Sequence, residues 1–467
     1  MEAASLAILD PSATSHPQSA AVEAWAGGLP APSGSYDRAA AGHSAFWLRG
    51  LELLAALPPK PKRNAAEQAL ATHILQLSRD TRMRFLATHG FILYRRLTDY
   101  GAAYRRVEDL AYAAAAAVPG LVPTRETVAA EGRLAQKDKD GHEIDQGLLF
   151  HYFLGRRDSG LNLCEAMLRP RQEALAALER LKREGRVDLG KASVERQGQA
   201  SLVLLKNPRS LNAEDDTTID DVETAVDLAL LDPETSICVL RGDTIRGGKY
   251  DGQNVFCTGI NLTRLYHGQI PYLWYLVRDL GFVSKIFRGL AIGPYCDEIF
   301  GTTLEKPWVA VVEKFAIGGG CQYLLVMDYV LAASDAYMTL PARKEGIIPA
   351  AANLRLPRFV GDRLARQAVM YDRRIDCDST EGRLLCDRVV PPAEIDAALT
   401  EVVERLTSSG VVSAAANRRA FRIGQEPLDL FRAYMAVYAR DQAMCHFSPA
   451  LIGNLERHWH AQQRARG

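Results

Sequence analysis

No stretch of this 467-residue chain stays apolar for the roughly 20 residues a membrane-spanning helix requires. The nearest, Leu110 to Val118, is cut off by Pro119-Gly120 and reads as a packed helix. An excess of one charge is also missing. The 56 basic side chains equal the 56 acidic ones, so no global field draws the protein to nucleic acid or a membrane, and a charged ligand must be met locally. The eight cysteines (164, 238, 257, 296, 321, 377, 386, 445) form no CxxC pair and several sit in apolar runs, which reads as buried reduced thiols. The ten histidines show no HxD or HExxH arrangement, and the pair His458 and His460 falls in a basic tail that reads as frayed. No GxGxxG follows a strand-like run and no GxxxxGKS/T occurs, so neither a metal, a flavin nor a nucleoside triphosphate is expected. Met1-Glu-Ala-Ala-Ser-Leu6 lacks the basic and apolar regions of a signal peptide, and the expected compartment is the cytoplasm.

What is present divides by local pattern, and the length suggests two or three domains. Residues 1–60 begin rich in Ala, Ser, Pro and Gly and are expected to form a poorly ordered lead-in. Residues 61–195 read as a helical domain. Asn64 and Glu67 have capping-box spacing before Leu70, Ile74 and Leu77, and Leu175, Leu178 and Leu181 share a face before Gly185. Over 196–395 strand-like runs (201–205, 237–240, 308–312, 329–332) alternate with helical ones, which predicts an α/β core with mostly parallel strands. Residues 396–467 turn helical again, with Leu430, Tyr434 and Val437 as the apolar face of a surface-packed or subunit-contacting helix.

One segment of the core points to chemistry. Lys306 to Val312 is an apolar strand that runs through Phe315-Ala-Ile317 into Gly318-Gly319-Gly320, Cys321 and Gln322. Three glycines leave backbone N–H groups unshielded, which suits either a simple strand-to-helix turn or a site that holds an oxyanion. The neighbouring motifs decide for the second. Asn207-Pro-Arg-Ser-Leu-Asn-Ala213, Phe256-Cys-Thr-Gly-Ile260, Ala316 to Gln322 and Leu340-Pro-Ala-Arg-Lys-Glu-Gly-Ile-Ile-Pro349 occur in that order. With them residues 200–400 resemble the crotonase (enoyl-CoA hydratase/isomerase) superfamily.

The resemblance implies a fold of repeated ββα units and a CoA thioester ligand. It implies that Ile260 and Gly319 supply the two oxyanion-hole amides, with Gly259, Gly318 and Gly320 shaping the segments. Arg209, with Lys206, would contact CoA phosphates. Homo-oligomers, trimers or hexamers, are usual in the superfamily. The departures are informative. Hydratases of this kind carry glutamates where this chain has Gln322 and Ala342, and neither an amide nor a methyl titrates, so hydration by the usual route is not expected. Glu345, three residues beyond Ala342, reads as a partner in a local salt bridge.

The helical first domain, Leu211 to Asp216, Glu223 to Asp232, Gly259-Ile-Asn-Leu262 and Lys344 to Leu356 look like the cofactor-independent dihydroxyphenylacetyl-CoA dioxygenases within that superfamily. That resemblance implies a reaction of thioester and O2 without metal or organic cofactor, the substrate enolate being the reductant, in a branch of glycopeptide antibiotic biosynthesis. By the same resemblance Glu214 and Arg278 contact ring hydroxyls, Asn261 belongs to the substrate site, Gln322 gives a neutral hydrogen bond, and Leu262 and Ile347 line a dry O2 pocket. On the residues alone, Glu214 also suits a helix-start charge, Arg278 a solvent-facing ion pair, and the two aliphatics plain core. A thioesterase or isomerase with Glu214 as base, and a non-catalytic acyl-CoA-binding protein, are the competing functions. Arg278→Ala and Glu214→Ala are expected to cut turnover far more than folding.

Overall fold

The structure is a computed structural model that describes residues 16–293, 298–301, 303–408 and 411–464. The first 15 residues of the expected lead-in, Cys296 and the last three residues of the chain lie outside the described residues.

The helical region is organised by the 33-residue helix Ala65–Leu97. Its start is the expected capping box: the Asn64 side chain accepts from the Glu67 N–H at 2.9 Å, and the Glu67 carboxylate accepts from the Asn64 N–H at 2.8 Å. Leu70, Ile74, Leu77, Phe85 and Leu93 form its buried face. The helix packs on Tyr36–Ala55 and Ile144–Gly155.

The lead-in expectation fails from residue 19 onward, where Ser19–Gly27 and Tyr36–Ala55 are helices. Small residues there permit close packing around a few large ones. Trp25 stacks on Phe46 with ring centroids 4.5 Å apart, and a Cβ on Gly50 would lie 2.8 Å from the Trp25 ring. Trp47 is fully buried and its indole N–H donates to Thr81 Oγ1 at 2.8 Å. Burial of three large aromatics outweighs what an Ala- and Gly-rich composition suggests.

The boundary at 195 also moves. Gly185, at φ 69°, ends helix Gln172–Glu184 as expected. The polar stretch after it is a hairpin, however, in which Arg186–Asp188 pairs antiparallel with Ala192–Gln197 and that strand with Ala200–Leu205. From Ala200–Leu205 the seven-stranded sheet continues in parallel through Ile237–Gly242, Trp308–Val312, Tyr329–Ala333 and Arg388–Val390. Every residue of Trp308–Val312 is buried, as a parallel strand covered on both faces requires. A second sheet of three strands joins Phe315–Ile317, Tyr337–Thr339 and Ile375–Asp376. Each of the first two directly follows a strand of the large sheet, which gives the repeated ββα pattern.

The C-terminal region is helical from Ile395–Thr407 through Pro449–Trp459, so His458 stands on a packed helix and not in a frayed tail. Leu428–His446 lies against Ile144–Gly155 so closely that a Cβ on Gly147 would sit 2.4 Å from the Ala443 Cβ. Its inward face is Leu428, Phe431, Met435, Tyr438, Ala439 and Gln442. Of the expected face, Leu430 and Val437 point outward, 44% and 51% exposed, while Tyr434 is half-buried and its hydroxyl donates to the Ala350 carbonyl at 2.5 Å. Polar members of the true stripe, Arg432 and Gln442, hid it from a reading of apolar spacing alone.

Buried ion clusters join these parts. Lys285, fully buried, lies 2.8 Å from both Glu223 and Asp227 in the core, and Arg106 of the helical region reaches Glu223 at 2.7 Å. Burial raises both carboxyls; at Glu223 the nearby Lys285 and Arg106 outweigh that and hold it low, while Asp227 stays raised. Lys285→Met leaves Asp227 without its ion-pair partner and Glu223 without one of its cations, and is expected to destabilise the fold by about 3–5 kcal/mol. Urea unfolding checks this, an unchanged midpoint being the contrary result.

Candidate active site

Three backbone segments meet at the C-terminal end of the central strands. Residue 214 bridges residue 260, and residue 257 bridges residue 316, both in parallel. The contacts are tight: the Glu214 N–H donates to the Gly259 carbonyl at 2.8 Å, the Asn261 N–H to the Glu214 carbonyl at 2.8 Å, and the Ile317 N–H to the Cys257 carbonyl at 3.0 Å. Glycine is required at two of these positions. At Gly259, with φ 73°, a Cβ would lie 2.7 Å from the Gly319 nitrogen, and on Gly319 it would lie 1.9 Å from Glu214 Oε2. The result brings Ile260 and Gly319 to the same inner cavity with N–H groups that donate to no acceptor among the described residues. Gly320 has a packing role, since a Cβ there would meet the Cys257 carbonyl at 2.5 Å.

Arg278, on helix Leu273–Leu280, is buried and not solvent-facing. Its Nε and Nη2 donate to Glu214 at 2.8 and 3.1 Å, Nη1 to Asp279 at 3.1 Å and to Gln322 Oε1 at 2.7 Å, and Nη2 also to the Gly319 carbonyl at 3.1 Å. All five guanidinium hydrogens are thereby used. Glu214 is no helix-start charge: its carboxylate also accepts from the Tyr323 hydroxyl. Because Arg278 takes the Gln322 carbonyl, the Gln322 NH2 is left as the donor facing the cavity, with no protein acceptor among the described residues.

A family profile described as enoyl-CoA hydratase/isomerase matches residues 295–438. Over 406 residues the chain is 45% identical to (3,5-dihydroxyphenyl)acetyl-CoA 1,2-dioxygenase of Amycolatopsis orientalis, covering 86% of this chain and 92% of that protein. The chain belongs to the crotonase superfamily, the enoyl-CoA hydratase/isomerase family. It is also 25% identical to the short-chain-enoyl-CoA hydratase of Clostridium acetobutylicum over 242 residues, which are 51% of this chain and 84% of that one. Among solved structures, an enoyl-CoA hydratase from Mycobacterium avium subsp. paratuberculosis overlays with a TM-score of 0.46 at 23% identity, over 57% of this chain and 98% of that one.

In this crotonase the inner cavity opens beside a larger cleft of about 770 Å³. Arg209 stands exposed on the cleft, together with Lys344, His458 and Arg464, and the half-buried Lys191 also lines it. Lys206 is held elsewhere, by Asp188 at 2.7 Å. The cleft residues Lys191 and His458 had no local sequence signal, since a hairpin and a C-terminal helix bring them there. Asn261 reaches the cleft but caps helix Leu262–Tyr266 and donates to Asp215 at 3.0 Å. Leu262 and Ile347 are separated: Ile347 lines the inner cavity and Leu262 the outer cleft. Among the described residues no group of three or more His, Cys, Asp or Glu side chains is arranged to hold a metal ion, and no helix is long and apolar enough to cross a membrane.

The salt bridge expected of Glu345 is not formed. Its side chain is buried and takes part in no ion pair among the described residues. Burial pushes its carboxyl up to about 7, and the nearby Asp372 adds to the effect. Sequence reasoning set Glu345 aside because it lies three residues past Ala342, yet Ala342–Glu345 is one helical turn, which brings both to the same cavity.

The engagement of every Arg278 donor changes what its removal should do. Arg278→Ala strands Glu214 and Asp279 in a buried site and is expected to cost about 3–5 kcal/mol of stability in addition to activity. Denaturant unfolding of this variant beside Glu214→Gln measures it; full stability in Arg278→Ala would show the cluster to be dispensable for folding.

Proposed function

We propose that the protein is a dioxygenase that converts 3,5-dihydroxyphenylacetyl-CoA and O2 into 3,5-dihydroxyphenylglyoxylate and CoA, without metal or organic cofactor, in the dihydroxyphenylglycine branch of glycopeptide antibiotic biosynthesis. One observation carries the reading: the two positions that hold hydratase glutamates are Gln322 and Ala342, in a chain 45% identical to such a dioxygenase over nearly all of that protein. Two unpartnered amides beside a basic cleft suit a CoA thioester. The cleft takes CoA, and the amides of Ile260 and Gly319 hold the thioester oxygen.

Loss of an α-proton gives an enolate stabilised by those amides and conjugated to an electron-rich ring. The enolate passes one electron to O2, and the two radicals join as a peroxide at the α-carbon. The distal peroxide oxygen attacks the thioester carbonyl and expels CoA as its thiolate. Loss of the second α-hydrogen with O–O cleavage yields the keto acid, so both oxygen atoms enter one product and both α-hydrogens leave as protons. Gln322 donates a neutral hydrogen bond, where a glutamate would add negative charge beside the forming carbanion. With every Arg278 donor occupied, a ring hydroxyl meets the cluster through the Glu214 carboxylate or by replacing one of the Arg278 bonds. The inner cavity, about 30 Å³, admits a water-sized guest, so the ring enters with rearrangement of lining side chains.

Metal-stripped protein given this thioester is expected to consume one O2 per CoA released and to place isotopic oxygen from O2 in the glyoxylate. CoA release without oxygen uptake would point to a thioesterase and end the proposal.

A further inference from the structure

The inner cavity and the outer cleft have two lining residues in common, Ile260 and Glu345. A thioester with CoA in the cleft and its acyl group in the cavity must therefore pass between them. Ile260 offers a backbone N–H on its side. Across from it, Glu345 is close to the glycine segment, a Cβ built on Gly318 lying 3.8 and 4.0 Å from its two carboxylate oxygens. The α-carbon is bonded to the carbonyl carbon whose oxygen the amides of Ile260 and Gly319 would hold, so it lies at this same junction.

We propose that Glu345 is the base that removes the α-proton of the thioester. This rests on the thioester reading above and extends it to a step for which that reading names no acceptor. The other carboxylates of the cavity are ion-paired: Glu214 to Arg278, with a further bond from Tyr323, and Asp279 to Arg278 through Oδ1, its Oδ2 being unpartnered but without accessible surface. Glu345 alone combines access with an uncommitted carboxylate.

The fold holds it in place from behind. The Glu345 N–H donates to the Pro341 carbonyl at 3.0 Å and the Gly346 N–H to the Ala342 carbonyl at 2.8 Å. Gly346 takes φ 78° against helix Pro449–Trp459, whose Asn454 donates to the Arg343 carbonyl at 3.1 Å. The titratable groups facing the carboxylate are Asp372 beyond the turn, Tyr275 and Tyr438 across the cavity, the Arg278, Glu214 and Asp279 cluster deeper in it, and Lys344 and His458 on the cleft side. Burial together with Asp372 raises the carboxyl to about 7, which suits a base that must gain and lose a proton near neutrality.

Proton removal can be read without oxygen. Under anaerobic conditions in D2O, the wild-type protein is expected to exchange the α-hydrogens of 3,5-dihydroxyphenylacetyl-CoA, followed by NMR. The rate should rise with pH through an inflection near 7, as the Glu345 carboxyl loses its proton. Glu345→Gln should slow exchange by about 100-fold or more and erase the inflection, with the Kd of the thioester unchanged. Glu345→Asp should recover part of the rate, and thermal melts of both variants report folding. Exchange at the wild-type rate in Glu345→Gln, or an inflection that survives in it, overturns the assignment and leaves the dioxygenase reading standing. Should Glu345→Gln melt early, lack of an inflection near 7 in the wild-type profile overturns it equally. Anaerobic exchange by the wild-type protein, with no oxygen uptake when the same thioester is supplied in air, ends the dioxygenase reading and leaves the base in place.

Discussion

The site depends on one buried guanidinium. Arg278 is the common partner of Glu214 from the first loop, Gln322 and the Gly319 carbonyl from the glycine segment, and Asp279 beside it. Removing such a charge from water is costly unless its hydrogens are all bonded, and here they are. Because Glu214 and the glycine segment lie in parts of the chain distant from Arg278, the bonds fix the relative position of elements that the sheet alone would leave free to shift. The same bonds orient Gln322 and press Glu214 against Gly319, where no Cβ would fit. Chemistry at the amides thus rests on an ionic cluster whose first consequence is geometric.

That cluster also sets the charge balance in which the proposed reaction runs. Arg278 answers Glu214, with Asp279 beside them, and Gln322 adds no charge to the cavity. Glu345 stands apart from this group. In the proposed proton transfer its carboxylate becomes neutral as the enolate becomes negative, so one negative charge moves a short distance and no second one is created. A glutamate at 322 would break that balance by placing another carboxylate beside the enolate, which raises the cost of forming it. Neutral side chains at positions 322 and 342 and burial of the carboxylate at 345 therefore belong to the same electrostatic arrangement.

Much of this was legible in the sequence wherever the signal was local. The Asn64 and Glu67 cap, the strand over 308–312 and the glycine segment each follow from residues a few positions apart. Signals that depend on distant partners were not. The lead-in helices are fixed by Trp25, Phe46 and Trp47 against the Ala65–Leu97 helix, and composition alone cannot report that contact. The face that Leu428–His446 turns to the core escapes a scan for apolar spacing, because Gln442 and Arg432 are buried in it and such a scan skips polar residues whose partners lie elsewhere. Glu345 reads as a partner in a local salt bridge for the same reason: the turn that carries it is backed at Arg343 and Gly346 by the Pro449–Trp459 helix, more than a hundred residues away.

The helices outside the α/β core act on the site through these long-range contacts. Glu426 at the foot of Leu428–His446 gathers Arg288, Arg355 and Arg358 from the core, while Arg106 binds Glu223 from the opposite region. Leu428–His446 carries Tyr438 to the inner cavity, and Gln442 accepts from the Ile348 N–H at 2.9 Å, steadying the turn after Glu345. The next helix supplies His458 and Trp459 to the cleft and backs Gly346. A core with bare amides could bind a thioester oxygen by itself. To leave one carboxylate unpaired and partly desolvated beside that oxygen, the turn that bears it must be covered on its far side, and the C-terminal helices provide that cover. The extra helices and the uncommitted carboxylate are thus two sides of one structural requirement.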